Sequence, residues 1–272
     1  MAESKLKHLK IVSPANERIK DAVSVRKRHN VSENGLVFVE GVRVLWSAIE
    51  ARVSFGTVFY TEEFTRKNDS SKLIEAITRL GGEAVEVSDA VMDKLSGTEA
   101  PQGICALARA STVELDTLTG DRFVVCDGVK DTGNMGTIVR SADAFGASAV
   151  ICLPGTCDPF GPKVVRASAG SVFHLPIARA NREELVEWLG ERRVPILIAT
   201  PHGGKPVYET PLAGAFALVL GGEAGGVGSF MAEKAQLAVN VPMEPGVESL
   251  NVAITASICL YEAKRQRLNR HD

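Results

Sequence analysis

The sequence predicts an α/β protein of two domains, the second built on a mostly parallel sheet with helices on both faces. Short β-rich runs alternate with helical periodicity along most of the 272 residues, as in stacked β-α units. Glycine usage changes along the chain, with seven glycines in residues 1–110 and eighteen in residues 111–272. The length exceeds that of one average domain, which favours two.

The first thirty residues are basic, with eight lysines and arginines against three acids. The basic residues are Lys5, Lys7, Lys10, Arg18, Lys20, Arg26, Lys27 and Arg28. A net charge of −2 for the whole chain argues against indiscriminate nucleic-acid binding over the surface. We therefore expect a local basic arm, which is either simply solvated or in contact with phosphate groups, in which case binding weakens as salt rises.

Residues 36–107 predict a small α/β domain. A helix at residues 42–51 places Val42, Leu45, Trp46 and Ile49 on one face. Further helices are predicted at residues 71–80 and 89–95, and strands at residues 58–60, 84–87 and 104–107. This domain is assigned to residues 1–110.

Residues 111–120 predict a linker, since the stretch A-S-T-V-E-L-D-T-L-T-G-D (110–121) is polar and has no consistent period. The second domain, residues 121–272, repeats the order of strand, loop and helix. Its predicted strands are 123–126, 149–153, 196–199, 216–220 and 238–241, and its predicted helices are 134–145, 183–191 and 252–267. This alternation predicts a mostly parallel sheet.

Several classes of protein are disfavoured by composition. No apolar run approaches the roughly 18 residues that a membrane span needs, and the N-terminus is polar, so we expect a cytoplasmic protein. The five cysteines and five histidines show no metal-ligand spacing, so no metal is expected. We expect the cysteines to be reduced and unpaired.

Three loops that follow strands could carry chemistry, because ligands of open parallel sheets bind at the carboxyl ends of the strands. The first, residues 127–136, opens a helix that carries Asn134 and Arg140. Asn134 is either a helix N-cap or a site residue. Arg140 is either a surface arginine or a fixed cation that faces a phosphate or a developing alkoxide.

The second loop, residues 218–228, contains five glycines in eight residues, which lets the backbone approach a ligand closely. It is neither a P-loop nor a G-x-G-x-x-G fingerprint, because Met231 stands where the last glycine would be. Glu223 is either a helix-start carboxylate or a partner that orients Arg140.

The third loop, residues 241–253, delivers Ser249 and Asn251 to the start of the last helix. Both residue types are favoured N-caps, so a purely structural interpretation is also good.

Together, three stretches resemble the sequence motifs of the SpoU/TrmH family of RNA 2′-O-ribose methyltransferases, within the SPOUT superfamily. They are N-M-G-T-I-V-R (134–140), L-G-G-E-A-G-G-V (220–227) and V-P-M-E-P-G-V-E-S-L-N-V-A (241–253). The stretches F-V-E-G-V-R-V-L (38–45) and S-G-T-E-A-P-Q-G-I (96–104) resemble the accessory, ribosomal-protein-like substrate-binding domain of many members.

The resemblance implies a catalytic domain tied in a deep trefoil knot, a homodimer, and S-adenosylmethionine as the methyl donor. The residues that it implies for cofactor binding are Thr200, Gly221, Gly222, Val241, Met243 and Leu250. Those that it implies for catalysis are Arg140, Asn134, Glu223, Ser249 and Asn251. The sequence departs from many members at Gly222, where Ser or Ala is common, and this removes no implied catalytic group.

The resemblance implies that Arg140 activates the ribose hydroxyl, either as a base or by stabilising the alkoxide. We favour stabilisation, because arginine is rarely deprotonated in proteins. The accessory domain favours ribosomal RNA over tRNA as the substrate. A catalytically silent RNA-binding protein is the main competing hypothesis, and a nicotinamide-dependent dehydrogenase is disfavoured by the missing glycine fingerprint.

Overall fold

The computed structural model describes residues 9–27, 35–223 and 225–269. Lys5, Lys7 and Arg28 of the predicted basic arm lie outside these ranges. The described residues fall into two compact units. The first comprises residues up to Ser111 together with Phe160–Phe173, and the second comprises Thr112–Pro159 together with the residues from His174 onward. The predicted assignment of residues 1–110 to substrate binding and 121–272 to catalysis stays a prediction.

The elements are named in chain order. Up to residue 111 they are β1 (Leu9–Ile11), α1 (Glu17–Lys27), β2 (Leu36–Glu40), α2 (Val42–Glu50), β3 (Phe55–Thr61), α3 (Glu62–Thr65), α4 (Ser70–Arg79), β4 (Glu83–Val87), α5 (Asp89–Leu95) and β5 (Ile104–Arg109). Then follow β6 (Arg122–Asp127), α6 (Thr132–Phe145), β7 (Ala149–Cys152), α7 (Pro162–Ala167), β8 (Ile177–Arg179), α8 (Arg182–Glu191), β9 (Ile196–Ala199), β10 (Lys205–Pro206), β11 (Phe216–Gly221), α9 (Ser229–Lys234), β12 (Leu237–Asn240) and α10 (Val252–Leu268).

The first unit is built on a mixed sheet with the strand order β1-β4-β3-β5-β2. Strand β5 is antiparallel to both of its neighbours, whereas β1, β4 and β3 are parallel. The basic N-terminal segment is not an extended arm over residues 17–27, because it forms the helix α1. Ile19, Ala22 and Val23 recur at helical spacing and are buried in the core of this unit.

The predicted buried face of α2 is partly wrong. Its buried residues are Val44, Leu45 and Ala48, while Val42, Trp46 and Ile49 are only half-buried. Residues 160–173, which come from much later in the chain, also pack on this helix. Since α2 is covered from more than one side, its burial does not follow a single apolar stripe.

The second unit is built on a seven-stranded sheet with the order β10-β12-β9-β11-β6-β7-β8, and every pairing in it is parallel. This confirms the predicted α/β fold with a mostly parallel sheet. Its core includes an edge-to-face contact between the rings of Phe123 and Trp188, whose centroids lie 5.1 Å apart. The trefoil knot stays a prediction.

Most predicted elements of the second unit are present with ends shifted by one or two residues. The predicted helix 134–145 begins at Thr132, and the predicted strand 238–241 runs over Leu237–Asn240. Short elements such as α7, β8, β10 and α9 were not predicted, because two to six residues carry too little periodicity. No helix within the described ranges has the length and hydropathy of a membrane span.

The segment predicted as a linker contributes to the core of the second unit. Leu115 and Leu118 are buried there, at 5% and 3% exposure. A short 3-10 helix over Leu115–Thr117 turns the two side chains to the same side. Val113 forms a parallel bridge with Ala178. The polar composition of residues 111–120 concealed these two apolar anchors.

Candidate functional site

A cavity lies at the carboxyl ends of β9, β11 and β12, which are neighbours in the second sheet. Its volume is about 410 Å³, within the range of small-molecule sites. The loops that leave these strands form its walls. The lining residues are Ala199, Thr200, Pro201, Leu220, Gly221, Gly222, Glu223, Gly226, Val241, Met243, Ser249, Leu250, Asn251, Val252 and Thr255.

Nine of the eleven residues that the sequence marked as candidates line this cavity. All six candidates for cofactor binding are among them, namely Thr200, Gly221, Gly222, Val241, Met243 and Leu250. The other three are Glu223, Ser249 and Asn251. Asn134 is joined to the cavity wall by hydrogen bonds, and Arg140 is not among the lining residues.

A chain of hydrogen bonds connects all three candidate loops. Asn251 Nδ2 donates to Asn134 Oδ1 at 2.9 Å, and Asn134 Nδ2 donates to Glu223 Oε1 at 2.9 Å. These residues come from the start of α10, the first turn of α6 and the loop after β11. Because each amide uses both its donor and its acceptor, the chain fixes the orientation of both asparagine side chains.

Helix capping separates the roles of the two asparagines. Asn251 is the N-cap of α10, since its Oδ1 accepts from Ala253 N at 2.9 Å and Ile254 N at 3.3 Å. Asn134 is not the N-cap of α6, because Asp131 holds that place and accepts from Asn134 N at 2.7 Å. The side chain of Asn134 is therefore left for the contacts with Asn251 and Glu223.

Glu223 is held in its ionised form. Burial raises its pKa, but the hydrogen bond from Asn134 and backbone N–H groups outweigh this effect, so the pKa of Glu223 is lowered from its ordinary value. The backbone donors include Lys130 N and Asp131 N, both at 3.4 Å. Within the described ranges, no hydrogen bond or ion pair joins Glu223 to Arg140. Inside one protomer, the carboxylate of Glu223 therefore orients Asn134 rather than Arg140.

Arg140 lies on α6 and is exposed. The structure records no hydrogen bond or ion pair between its guanidinium and any residue of the described ranges. Its helix packs against α10 through a 2.7 Å hydrogen bond between the hydroxyls of Ser141 and Ser257 and an edge contact between the rings of Phe145 and Tyr261. The catalytic role of Arg140 stays a prediction.

The glycine-rich loop is folded tightly on itself and on the loop after β6. A Cβ on Gly221 would lie 1.9 Å from the carbonyl carbon of Gly226, and one on Gly222 would lie 2.3 Å from Gly128 O. Either substitution would force backbone apart, so both positions require glycine. The loop therefore presents main-chain groups, rather than side chains, to this part of the cavity wall.

Two residues that support this loop were not singled out from the sequence. The buried carboxylate of Asp127 accepts hydrogen bonds from Gly228 N at 3.0 Å and from the Arg182 guanidinium. Its backbone oxygen accepts from Gly222 N at 3.0 Å. Asp127 thus holds both ends of the glycine-rich loop. An acid directly at the end of a buried strand was the available signal.

The cysteines near the site are neutral thiols. Burial is the main cause that raises the pKa of Cys152 to about 12 and that of Cys157 to about 11, so neither thiol is ionised at neutral pH. Among the described residues, no group of three or more His, Cys, Asp or Glu side chains is arranged to hold a metal ion.

Two family models match the chain. The SpoU rRNA Methylase family model matches residues 121–261, and the MRM3-like substrate binding domain model matches residues 16–106. The first range contains all the loops of the cavity. The second range lies within the first structural unit.

Curated relatives and solved structures resemble the chain over nearly its whole length. The 23S rRNA (guanosine(2553)-2′-O)-methyltransferase RlmP of Bacillus subtilis is 30% identical, with 93% of this chain and 98% of that protein aligned. The 23S rRNA (adenosine(1067)-2′-O)-methyltransferase of Streptomyces laurentii is 30% identical, over 94% of each chain. The SpoU methyltransferase AviRb of Streptomyces viridochromogenes, solved in complex with AdoMet, superposes with a TM-score of 0.84 at 29% identity, covering 93% of this chain and 98% of that chain.

Proposed function

Since the chain belongs to the SpoU rRNA methylase family, we propose that it transfers a methyl group from S-adenosylmethionine to the ribose 2′-hydroxyl of a ribosomal RNA nucleotide. One observation carries this proposal. The three candidate loops meet in one cavity, where the chain Asn251–Asn134–Glu223 ties them together. A substrate of this class also implies the cytoplasm as the place of reaction.

The cavity suits S-adenosylmethionine in size and in chemistry. Leu220, Val241, Met243 and Leu250 supply apolar surface for a purine ring. Gly221 and Gly222 leave main-chain donors and acceptors accessible to polar groups of the ligand. When bound, the cofactor supplies a sulfonium methyl group that is already a strong electrophile. The protein's own task is then to orient the ribose hydroxyl and to ease the passage of its proton to solvent water as the bond between oxygen and the methyl group forms.

The five candidate catalytic residues divide this task. Asn134 and Asn251 are held rigidly by each other and by Glu223, so they can orient the ribose without moving. Ser249 adds an exposed hydroxyl on the loop before α10. Arg140 stabilises the developing alkoxide as a cation, since a guanidinium offers several N–H donors and no acceptor.

Assembly as a homodimer is part of the proposal, and an apolar stripe on α10 supports it. Ile254, Tyr261 and Leu268 are spaced by seven residues and are 51%, 56% and 59% exposed. This spacing puts them on one face of the helix. Arg140 lies on α6, which packs against α10, so a dimer formed through the stripe would include the helix pair that carries Arg140. Exposed apolar stripes of this kind are typical of association surfaces.

The relatives described above act on different nucleosides, a guanosine and an adenosine of 23S rRNA. The ribose and the cofactor are common to both reactions, and the candidate loops are proposed to serve these two groups. The choice of nucleotide then falls to residues outside the cavity, and the first structural unit is the proposed place for it.

The experiment is a transfer assay with the purified protein, methyl-labelled S-adenosylmethionine, and either a 23S rRNA transcript or total tRNA. We expect label in the 23S rRNA and none in the tRNA. Label in the tRNA alone would replace the proposed substrate by the tRNA alternative. RNA binding without label in either RNA would favour a catalytically silent RNA-binding protein.

A further inference from the structure

The first unit contains a cluster of opposite charges that the proposed reaction does not use. Its centre is Glu40, at the end of β2, which is only 5% exposed. Arg26 approaches from the last turn of α1, and Arg166 approaches from the last turn of α7. Two guanidinium groups and one carboxylate leave this cluster with one positive charge in excess.

The carboxylate of Glu40 is occupied by the loop after α5. Gly97 N donates to Oε2 at 3.0 Å, Thr98 Oγ1 donates to Oε1 at 3.2 Å, and Ser96 Oγ also donates to Oε1. Arg166 Nη1 lies 3.5 Å from Oε2, as an ion pair. Glu40 therefore holds the loop in place, and the guanidinium groups keep donors that this carboxylate does not satisfy.

The two guanidinium groups converge on Gly97, which is exposed. The point where a Cβ of residue 97 would stand lies 3.3 Å from Arg166 Nη1 and 3.5 Å from Arg26 Nη1. Arg26 Nη1 also donates to the backbone oxygen of Ser96. A glycine at this position keeps a side chain out of the narrow gap between the two guanidinium groups.

The chain satisfies these guanidinium groups only in part. Arg26 Nε is a buried atom without a hydrogen-bond acceptor, and Arg166 Nη1 has only the 3.5 Å ion pair with Glu40. Both side chains are half-buried, so their outer edges can still meet an acceptor from outside the chain, as incompletely paired donors favour. An anion with several oxygens suits two neighbouring guanidinium groups, which bind phosphate through parallel N–H donors.

We propose that Arg26, Gly97 and Arg166 form a binding site for a backbone phosphate of the RNA substrate. This inference rests on the proposed function, since it takes RNA as the substrate. Phosphate contacts position an RNA without reading its sequence, so the site would fix the RNA on the first unit while other contacts choose the nucleotide.

Residues 160–173, which pack in the first unit, contribute Arg166 to this site. Arg166 lies in the range that the methylase family model matches, residues 121–261, whereas Arg26 and Gly97 lie in the range of the substrate-binding model, residues 16–106. A segment from the second range of sequence thus completes a site in the first unit. Removal of residues 1–110 would leave Arg166 without Glu40, so point variants of the full chain are the cleaner test.

The experiment measures binding of a 23S rRNA transcript at several KCl concentrations for Arg26→Ala, Arg166→Ala and Gly97→Ala. Each arginine variant is expected to lose about tenfold in affinity at low salt. Loss of one phosphate contact also lowers the slope of log affinity against log salt by about 0.7 to 0.9. Gly97→Ala keeps both charges but fills the gap between them, and we expect about a fivefold loss.

Arg79→Ala is the matched control, because Arg79 is an exposed arginine of the same unit whose recorded partner is Glu75 on its own helix. Affinity for S-adenosylmethionine is expected to be unchanged in all four variants. If Arg26→Ala and Arg166→Ala bind RNA with the affinity and salt slope of Arg79→Ala, the phosphate site is wrong. If an alanine variant unfolds, normal RNA binding by Gly97→Ala and by the Arg26→Gln and Arg166→Gln variants, which remove the charge but keep a side chain of similar length, would overturn it equally.

The failure of this site and the failure of the proposed function can be told apart. Wild-type protein that methylates rRNA while the variants bind RNA normally would refute the site and leave the function standing. A wild-type protein that transfers no methyl group would refute the function. If the arginine variants then still bound RNA more weakly and with a smaller salt slope than wild type, the site would be supported.

Discussion

The two units use polar side chains in opposite ways. At the cavity of the second unit, Asn134, Glu223 and Asn251 satisfy one another, and backbone amides complete the set. In the charged cluster of the first unit, two guanidinium groups share the single carboxylate of Glu40, and Arg26 Nε has no acceptor. The first arrangement is complete before any ligand arrives, and the second keeps one positive charge in excess.

This difference corresponds to two kinds of ligand. A reaction that needs a hydroxyl placed to within a fraction of an ångström benefits from side chains that are already fixed. Attachment of a large polyanion benefits instead from uncompensated charge, which attracts phosphate from a distance and tolerates several binding registers. Four predictions test this contrast, beginning with the largest expected effect.

Replacing Arg140 by alanine should lower the rate of methyl transfer by about 10³-fold, the effect of removing a group that stabilises developing negative charge. Affinity for S-adenosylmethionine should stay within twofold of wild type, because Arg140 is not among the residues that line the cavity. Single-turnover transfer to 23S rRNA and calorimetric titration of the cofactor measure the two quantities. Turnover within a few fold of wild type would remove Arg140 from the mechanism.

Replacing Asn134 by alanine should lower the transfer rate by about 10²-fold, since it breaks both hydrogen bonds of the chain and lets the reacting groups move. Thr137→Ala is the control on the same helix, because Thr137 Oγ1 donates only to the backbone oxygen of Gly133. Equal rates for the two variants would show that the hydrogen-bond chain does not position the substrate.

Replacing Arg182 by alanine should weaken cofactor binding by about tenfold and lower the free energy of unfolding by about 3 kcal/mol, because it leaves the buried Asp127 without its cation. The control is Arg179→Ala, which leaves the buried Asp158 without Arg179 in the same unit. We expect a comparable loss of stability there, with normal cofactor affinity. Calorimetric titration and thermal unfolding compare the two variants, and the same cofactor affinity in both would contradict a role for Asp127 in holding the glycine-rich loop.

The smallest effect concerns pH. The pKa of Glu223 is lowered in the folded protein, so the ionised side chain stabilises the fold fully above its ordinary pKa of 4.5. This contribution is lost as the pH falls through the lowered value. The difference in Tm between wild type and Glu223→Gln should therefore be constant from pH 8 to 5 and should shrink below pH 4.5. A Tm difference between the two proteins that changes between pH 6 and 8 would contradict the lowered pKa of Glu223.

The residues that line the cavity could be predicted, because short stretches of sequence place them at the ends of strands. Thr200, Gly221 and Val241 each follow or end a strand, and the carboxyl ends of neighbouring parallel strands lie together by geometry. The family resemblance named these residues, and their places at strand ends explain how they come to line one cavity. Their roles in cofactor binding stay predictions.

The contacts between residues that are far apart in the sequence could not be predicted in this way. Nothing in the local sequence shows that Glu223 contacts Asn134 rather than Arg140, or that Asp131 caps α6. The short helix α7 has no detectable period, so its return to the first unit beside Glu40 depends on tertiary packing alone. Helix α1 was missed because its charged residues outnumber the three apolar ones that are buried.

The most direct test of the central claim is the chemical position of the transferred methyl group. Labelled 23S rRNA from the transfer assay would be digested to nucleosides and analysed by mass spectrometry. We expect a single modified nucleoside with the methyl group on the ribose 2′-oxygen, and about 10³-fold less of it with Arg140→Ala over the same reaction time. A methyl group on a base, or the same amount of product from both proteins, would contradict the central claim.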